Sequence, residues 1–322
     1  MRRRLEAVMA ATCIALAPFS PAIAQNYPAR PVHIIVAFAP GGPVDVVARL
    51  AAEKLPEILG QPVVVENRPS ATGNLGTQAV AKAPPDGYTI LATSSAFAVN
   101  VSLSPNAGYD PERDFAPIIQ AATQPNVIVV NSGFPAKTLA ELLEMAKTAK
   151  LAYASPGTGT TPHLTGEHIF KAIAKLDITH IPYKGAGPAA VAVVAGEPPI
   201  GSLAVTAPMP FIRSGRLRAL AISSATRHPL LPEVPTFTEL GYPAIEEYTW
   251  VGFFAPAGTP PDVVQKLNEA INRVLRMRDI RERLESLTFE PIGGSAQQFA
   301  EYVRVEVAKW AIVVKQTGAK VE

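Results

Sequence analysis

Val32-His-Ile-Ile-Val-Ala-Phe38-Ala-Pro-Gly-Gly-Pro-Val-Asp45 is the stretch on which the fold turns. Its first half, Val32 to Phe38, is an apolar, β-branched run, the pattern of a strand buried on both faces. A Gly-Gly turn follows. Pro43 then stands where a helix through Leu59 would begin, a position at which the missing N–H does no harm. The same order of strand, Gly-rich turn and helix returns at Ser155-Pro-Gly-Thr-Gly-Thr-Thr-Pro-His163, with Pro162 opening the helix. Outward from these two junctions, strands are expected at 63–66, 88–93, 127–130, 151–155, 178–181, 200–205, 217–222 and 248–255. Helices are expected at 73–82, 162–174 and 188–195. Thr138 with Glu141 reads as a capping box. Strand–helix alternation of this kind predicts an α/β fold with parallel strands.

The C-terminal quarter changes character. Thr259 is expected to cap a helix through Met277, a short helix follows to Leu287, and Ser295 caps a long last helix that Gly318 stops. Phe299, Val303, Trp310 and Val314 fall on one face of it. Turn-rich stretches at 104–117 and 224–247 are natural crossing points between domains. The organisation expected is 1–24 as a signal peptide, 25–124 as the first part of lobe 1, 125–246 as lobe 2, and 247–322 returning to lobe 1.

The first 24 residues carry Arg2, Arg3 and Arg4, an uncharged run from Ala7 to Ala17, and the small pair Ala22 and Ala24. That is the grammar of a secretory signal, with cleavage expected after Ala24 and a periplasmic destination. Without this segment Lys+Arg falls from 29 to 26 and Asp+Glu from 27 to 26. A near-neutral chain offers no footprint for nucleic acid. The one cysteine, Cys13, leaves with the segment. Thiol catalysis, thiolate zinc sites and iron–sulfur clusters are thereby excluded from the remainder.

Chemistry is expected at the two junctions. Glycines let a backbone approach a ligand, and the free N–H groups at a helix start suit an anion. Gly157-Thr-Gly-Thr-Thr-Pro162 lacks the third Gly of a dinucleotide fingerprint, and neither junction carries Lys or Arg, so a polyphosphate is disfavoured. A carboxylate held by N–H groups and the hydroxyls of Thr158, Thr160 and Thr161 needs no such charge. Asp45 reads either as a helix-start acid or as a group that fixes water or an ammonium. His163 and Glu167, spaced i, i+4, read as a surface pair; His33, His180 and His228 read as isolated. No Gly-x-Ser-x-Gly or His-Glu-x-x-His motif is present, and no catalytic residue, metal site or cofactor is expected.

Pro40-Gly41-Gly42 with Asp45 and Ala48-Arg49 resembles the first ligand loop of the Bug/TctC family, extracytoplasmic solute receptors of tripartite tricarboxylate transporters. The resemblance continues through Val65-Glu-Asn-Arg-Pro69, Ala83-Pro-Pro-Asp-Gly-Tyr88, Gly157-Thr-Gly-Thr160 with His163, Ile181-Pro-Tyr-Lys-Gly185 and Val234-Pro-Thr236. It implies a two-lobe periplasmic-binding-protein type II fold with a ligand cleft between the lobes, capture of a small carboxylate, and no enzymatic activity. The contacts it implies are Phe38, Ala39, Pro40, Gly41, Gly42, Asp45, Ser94 and Ser95 in lobe 1. In lobe 2 they are Gly157, Thr158, Gly159, Thr160, His163 and Thr206. The partners implied are membrane subunits of a tripartite tricarboxylate transporter or, alternatively, a sensor kinase, with the receptor itself a monomer. Ser70 and Thr72 depart from the family's usual Gly, and 196–205 lacks its usual Asp or Asn near the cleft. A secreted small-acid enzyme using the same cleft is the rival reading.

Overall fold

A computed structural model describes residues 27–104 and 107–317; the expected cleavage site and Gly318 lie outside them. The first unit is β1 (Val32–Val36), α1 (Pro43–Leu59), β2 (Val63–Asn67), α2 (Asn74–Ala81), β3 (Thr89–Ser94) and α3 (Ala96–Leu103). β1 lies between β2 and β3, parallel to both. The next strand, β4, runs unbroken from Phe115 to Asn131. Lobe 2 follows: α4 (Leu139–Met145), β5 (Ala152–Ser155), α5 (Thr161–Glu167), β6 (Thr179–Pro182), α6 (Ala186–Ala195), β7 (Ile200–Ala204), α7 (Met209–Arg213) and β8 (Leu217–Ile222). The chain returns through β9 (Tyr248–Pro256), α8 (Pro261–Arg276), α9 (Arg278–Ser286), β10 (Glu290–Pro291) and α10 (Ala296–Thr317).

Two sheets share one strand. The first half of β4 pairs antiparallel with β9, from Phe115 opposite Pro256 to Pro125 opposite Tyr248. Its second half, from Asn126, pairs with β7 and β8. β7 then continues in parallel to β5 and β6. One lobe is thus β2-β1-β3-β9-β4, the other β4-β7-β5-β6, and β4 and β9 pass between them. Two features depart from the sequence reading. The strand expected over 127–130 begins twelve residues earlier and takes in Pro117 and Pro125, neither of which can donate to a ladder. The ladder absorbs Pro117 at a register shift, where a strand tolerates a missing donor. Helix α3 is new as well. Its run Ala96–Leu103 is apolar but for Asn100 and Ser102 and mostly buried, so it shows no helical stripe.

Packing explains the return of the chain. Phe97, Phe254 and Phe299 cluster with Trp250, and the predicted face of α10 is buried against them. Trp250 Nε1 and Trp310 Nε1 both donate to Glu306 Oε2, at 3.0 and 2.9 Å. One buried carboxylate therefore fastens the last helix to β9. Lobe 2 has its own apolar clusters on the two faces of its sheet. The caps at Thr138 and Ser295 form as read, each accepting from the N–H three residues on. Thr259 instead donates to Pro256 O at 2.8 Å, and Pro260 takes the cap position of α8 without a side-chain bond. The helix expected over 162–174 loosens into a π-helical turn at His168–Ile173.

Candidate functional site

The first junction is braced from behind. Asp45 is buried, and its carboxylate accepts from Gly41 N (3.1 Å), Asn67 Nδ2 (2.9 Å) and Arg49 Nε (3.0 Å). Asn67 Nδ2 also reaches Phe38 O at 3.0 Å, so one amide ties the end of β1 to the start of α1. Burial pushes the Asp45 carboxyl up, but the hydrogen bonds from Arg49, Asn67 and Gly41 outweigh it and hold the group below the ordinary aspartate range. Asp45 is the first-turn acid expected of it, and its bonds to Gly41 and Asn67 add a second role. It holds the shape of the loop, with Gly41 at φ +83°. Asp45→Asn puts a donor where donors already point, so stability is expected to fall by about 1–3 kcal/mol and ligand affinity with it. Urea unfolding beside calorimetric titration checks both; two unchanged values would remove Asp45 from the brace.

The second junction is held by two histidines. Gly159 N donates to His163 Nδ1 at 3.2 Å, and Gly157 N donates to Ser155 Oγ at 3.1 Å. Ser155 Oγ lies 2.7 Å from His180 Nε2, and the two imidazoles stack with centroids 4.1 Å apart. Burial, helped by the Lys171 charge, pushes His163 down to about 3. Burial, then the neighbouring His163, pushes His180 down to about 3 as well. Both rings are neutral at pH 7, and His163 Nδ1 is free to accept. The surface pair expected of His163 and Glu167 is therefore wrong, and His180 is not isolated. Glu167 is buried and accepts from Tyr153 Oη and Lys171 Nζ, both at 2.8 Å. A 3.6-residue spacing shows a shared helix face but not whether that face meets water.

The lobes touch at these junctions. Ala39 N donates to Lys184 O at 2.9 Å. Between them lies a cavity of ≈ 20 Å³, room for about one water, so any organic ligand requires the lobes to part. Of the expected contacts, Phe38, Gly42, Ser94 and Thr160 line it. Ala39, Pro40, Gly41, Asp45, Ser95, Gly157, Thr158, Gly159 and His163 do not line this cavity. Thr206 goes elsewhere: its hydroxyl meets Gln124 Oε1 (2.6 Å) and Leu287 O (2.8 Å) where the lobes join. The lining also includes Pro43, Val44, Pro156 and Pro162 from within the two junctions, and Ala186, Ala204 and Thr249, which were not among the expected contacts. Ala186 directly follows the Ile181–Gly185 motif, the one local signal for it.

Ala186 matters because it begins α6. A Cβ on Gly42, the N-cap of α1, would sit 3.5 Å from Ala186 N, so the starts of α1 and α6 face each other across the lobes. Val46 N is the first of α1 to find a helical acceptor, and Ala189 N the first of α6. The N–H groups ahead of them have none within their helices. Both positive dipole ends thus meet at a cavity lined by no charged side chain. Among the described residues no group of three or more His, Asp or Glu could hold a metal.

A family model described as "Tripartite tricarboxylate transporter family receptor" matches residues 47–319. The chain belongs to this family. Solved structures agree over nearly the whole fold. The periplasmic binding protein BugD is 36% identical, with a TM-score of 0.88 over 92% of this chain and all of its own. A Rhodopseudomonas palustris protein, Rpa4515, determined with adipate, is 34% identical with a TM-score of 0.87 over 92% of this chain and all of its own. MatC from the same organism, with bound malate, is 34% identical with a TM-score of 0.85 over 89% of this chain and all of its own. Receptors of the TctC/Bug family are periplasmic solute-binding proteins rather than enzymes, and the two-lobe α/β fold described above is theirs.

Proposed function

We propose that this receptor captures a small mono- or dicarboxylate between its lobes and delivers it to the membrane subunits of a tripartite tricarboxylate transporter. The observation that carries the reading is the meeting of the α1 and α6 N-termini at a cavity with no charged lining. Each helix start contributes roughly half a positive charge, so together they compensate about one negative charge. A carboxylate fits that balance, and a polyphosphate without Lys or Arg does not. The adipate and malate held by two neighbours of the same family support the same ligand class. The N-terminal segment with its Ala24 cleavage point supports export.

A thermal-shift screen tests the reading. A dicarboxylate present at about 100 Kd is expected to add about 2.7 kcal/mol, whereas nucleotides and sugar phosphates add nothing. Stabilisation by a nucleotide with none by any acid would overturn it.

A further inference from the structure

A continuous chain of polar side chains runs from lobe 1 through both crossing strands into lobe 2. Ser95 Oγ, ahead of α3, lies 3.0 Å from Thr161 Oγ1, the first residue of α5. Thr161 Oγ1 lies 2.7 Å from Thr249 Oγ1 on β9, which donates to Asn126 Oδ1 on β4 at 2.7 Å. Asn126 Nδ2 donates to Thr165 Oγ1 at 3.0 Å, and Thr165 Oγ1 donates to Glu247 Oε2. Glu247 Oε1 lies 3.1 Å from His168 Nδ1. Every member from Ser95 to Glu247 is buried.

Hydroxyls pass a hydrogen bond in either direction, but a carboxylate only accepts. Thr165, whose hydroxyl also lies 3.0 Å from Thr161 O, gives its proton to the charged acceptor and accepts from Asn126. That turns the Asn126 oxygen toward Thr249, so Thr249 donates to it and accepts from Thr161. Thr161 in turn accepts from Ser95. Without the carboxylate only the uncharged Thr161 O would still draw the Thr165 proton, and the Asn126 amide could turn over so that the chain runs in either sense. With it one sense remains, and the charge strengthens each bond behind it in a low-dielectric interior. The far end of the chain, Ser95 to Thr161, is a side-chain bond between the lobes. We propose that Glu247 is a positioning residue for lobe closure, orienting from the hinge the hydroxyl chain that ends in the Ser95–Thr161 bond. The proposal concerns closure itself and does not depend on which ligand binds.

Pulsed electron-resonance distances test it in the full chain without added ligand. With Cys13 replaced by Ser, cysteines introduced at the exposed Leu75 on α2 and Val191 on α6 carry one spin label in each lobe. The wild-type background is expected to show a closed, short-distance population. Glu247→Leu is expected to lower its ratio to the open form by about tenfold, within the range of coupled buried networks. Glu247→Gln keeps an oxygen that accepts from Thr165 and is expected to stay within about twofold. Ser95→Ala removes the lobe-1 end of the chain, and in that background Glu247→Leu is expected to add less than about twofold. Should Glu247→Leu not fold, the near-isosteric Thr165→Val cuts the chain one member later and is read in the same way. The proposal is overturned by an unchanged Leu variant, by a full tenfold loss persisting in Ser95→Ala, or by a wild type with no closed population. Equal losses in the Gln and Leu variants overturn it too, since they assign the effect to the loss of the Glu247 carboxylate beside His168 rather than to the hydroxyl chain.

Discussion

Gly159→Ala is expected to weaken dicarboxylate binding by about 100-fold or more while leaving both lobes folded. Gly159 sits at φ +80°, and a Cβ there would lie 1.8 Å from Asn100 Oδ1 in the opposite lobe. Asn100 cannot swing aside cheaply, because its Nδ2 donates to Thr72 O (2.5 Å) and Asn74 Oδ1 (2.9 Å). The added methyl is therefore tolerated with the lobes apart and forbidden with them together. A hundredfold loss is about 2.7 kcal/mol withheld from closure. The backbone strain of an L-residue at positive φ adds roughly 1–2 kcal/mol in both forms and does not by itself change affinity. Gly215→Ala separates the two effects: φ is +70°, and nothing lies within 4 Å of its Cβ. That control is expected to lose stability and keep affinity in calorimetric titration. Equal affinities for the Gly159 and Gly215 variants would mean that ligand binding does not bring Gly159 against Asn100.

Stability is expected to fall steeply as pH drops from about 6.5 toward 4. His163 and His180 take up protons near 6.5 when unfolded, but their native values lie at about 3. Between those limits the unfolded chain holds more protons, so stability is complete above 6.5 and declines with falling pH. A fully buried histidine contributes up to about 1.4 kcal/mol per pH unit; His180, less buried, contributes less. The Asp45 carboxyl, held low, adds its loss only further down, as pH falls through its depressed native value. Urea midpoints at pH 7, 6, 5 and 4 read the slope. His163→Asn offers an oxygen near the place of Nδ1 for Gly159 N to donate to and does not titrate, so a shallower slope is expected. The same slope in that variant would mean that His163 does not carry the acid loss.

The site was legible in pieces. Both Gly-rich junctions could be read because a buried strand, a turn and a Pro-led helix leave a local signature, and Phe38, Gly42, Ser94 and Thr160 do reach the cavity. The brace behind them was not read, although Arg49 and Asn67 stand inside quoted motifs. Asn67 meets Arg49 and Asp45 across 18 and 22 residues, joining a strand to a helix, and no periodicity encodes those distances. The sequence distinguishes glycines that could admit a ligand from those that could not only by their turns. The structure shows that Gly41, Gly157 and Gly159 have given their N–H groups to Asp45, Ser155 and His163.

By itself the sequence determined the α/β class, the family, the absence of cysteine after residue 24 and the lack of basic charge at either junction. These follow from composition, short-range pattern and motif order, which survive without knowledge of what packs on what. Tertiary structure alone decided that α6 presents its N-terminus to α1, that Thr206 serves the joint between lobes rather than the cleft, and that His163, His180 and Glu167 are buried. It also decided that one 17-residue strand belongs to both sheets. Each of these depends on residues far apart in sequence meeting across a lobe or a hinge. The burial and hydrogen-bond energies that set them exist only once the whole chain has folded.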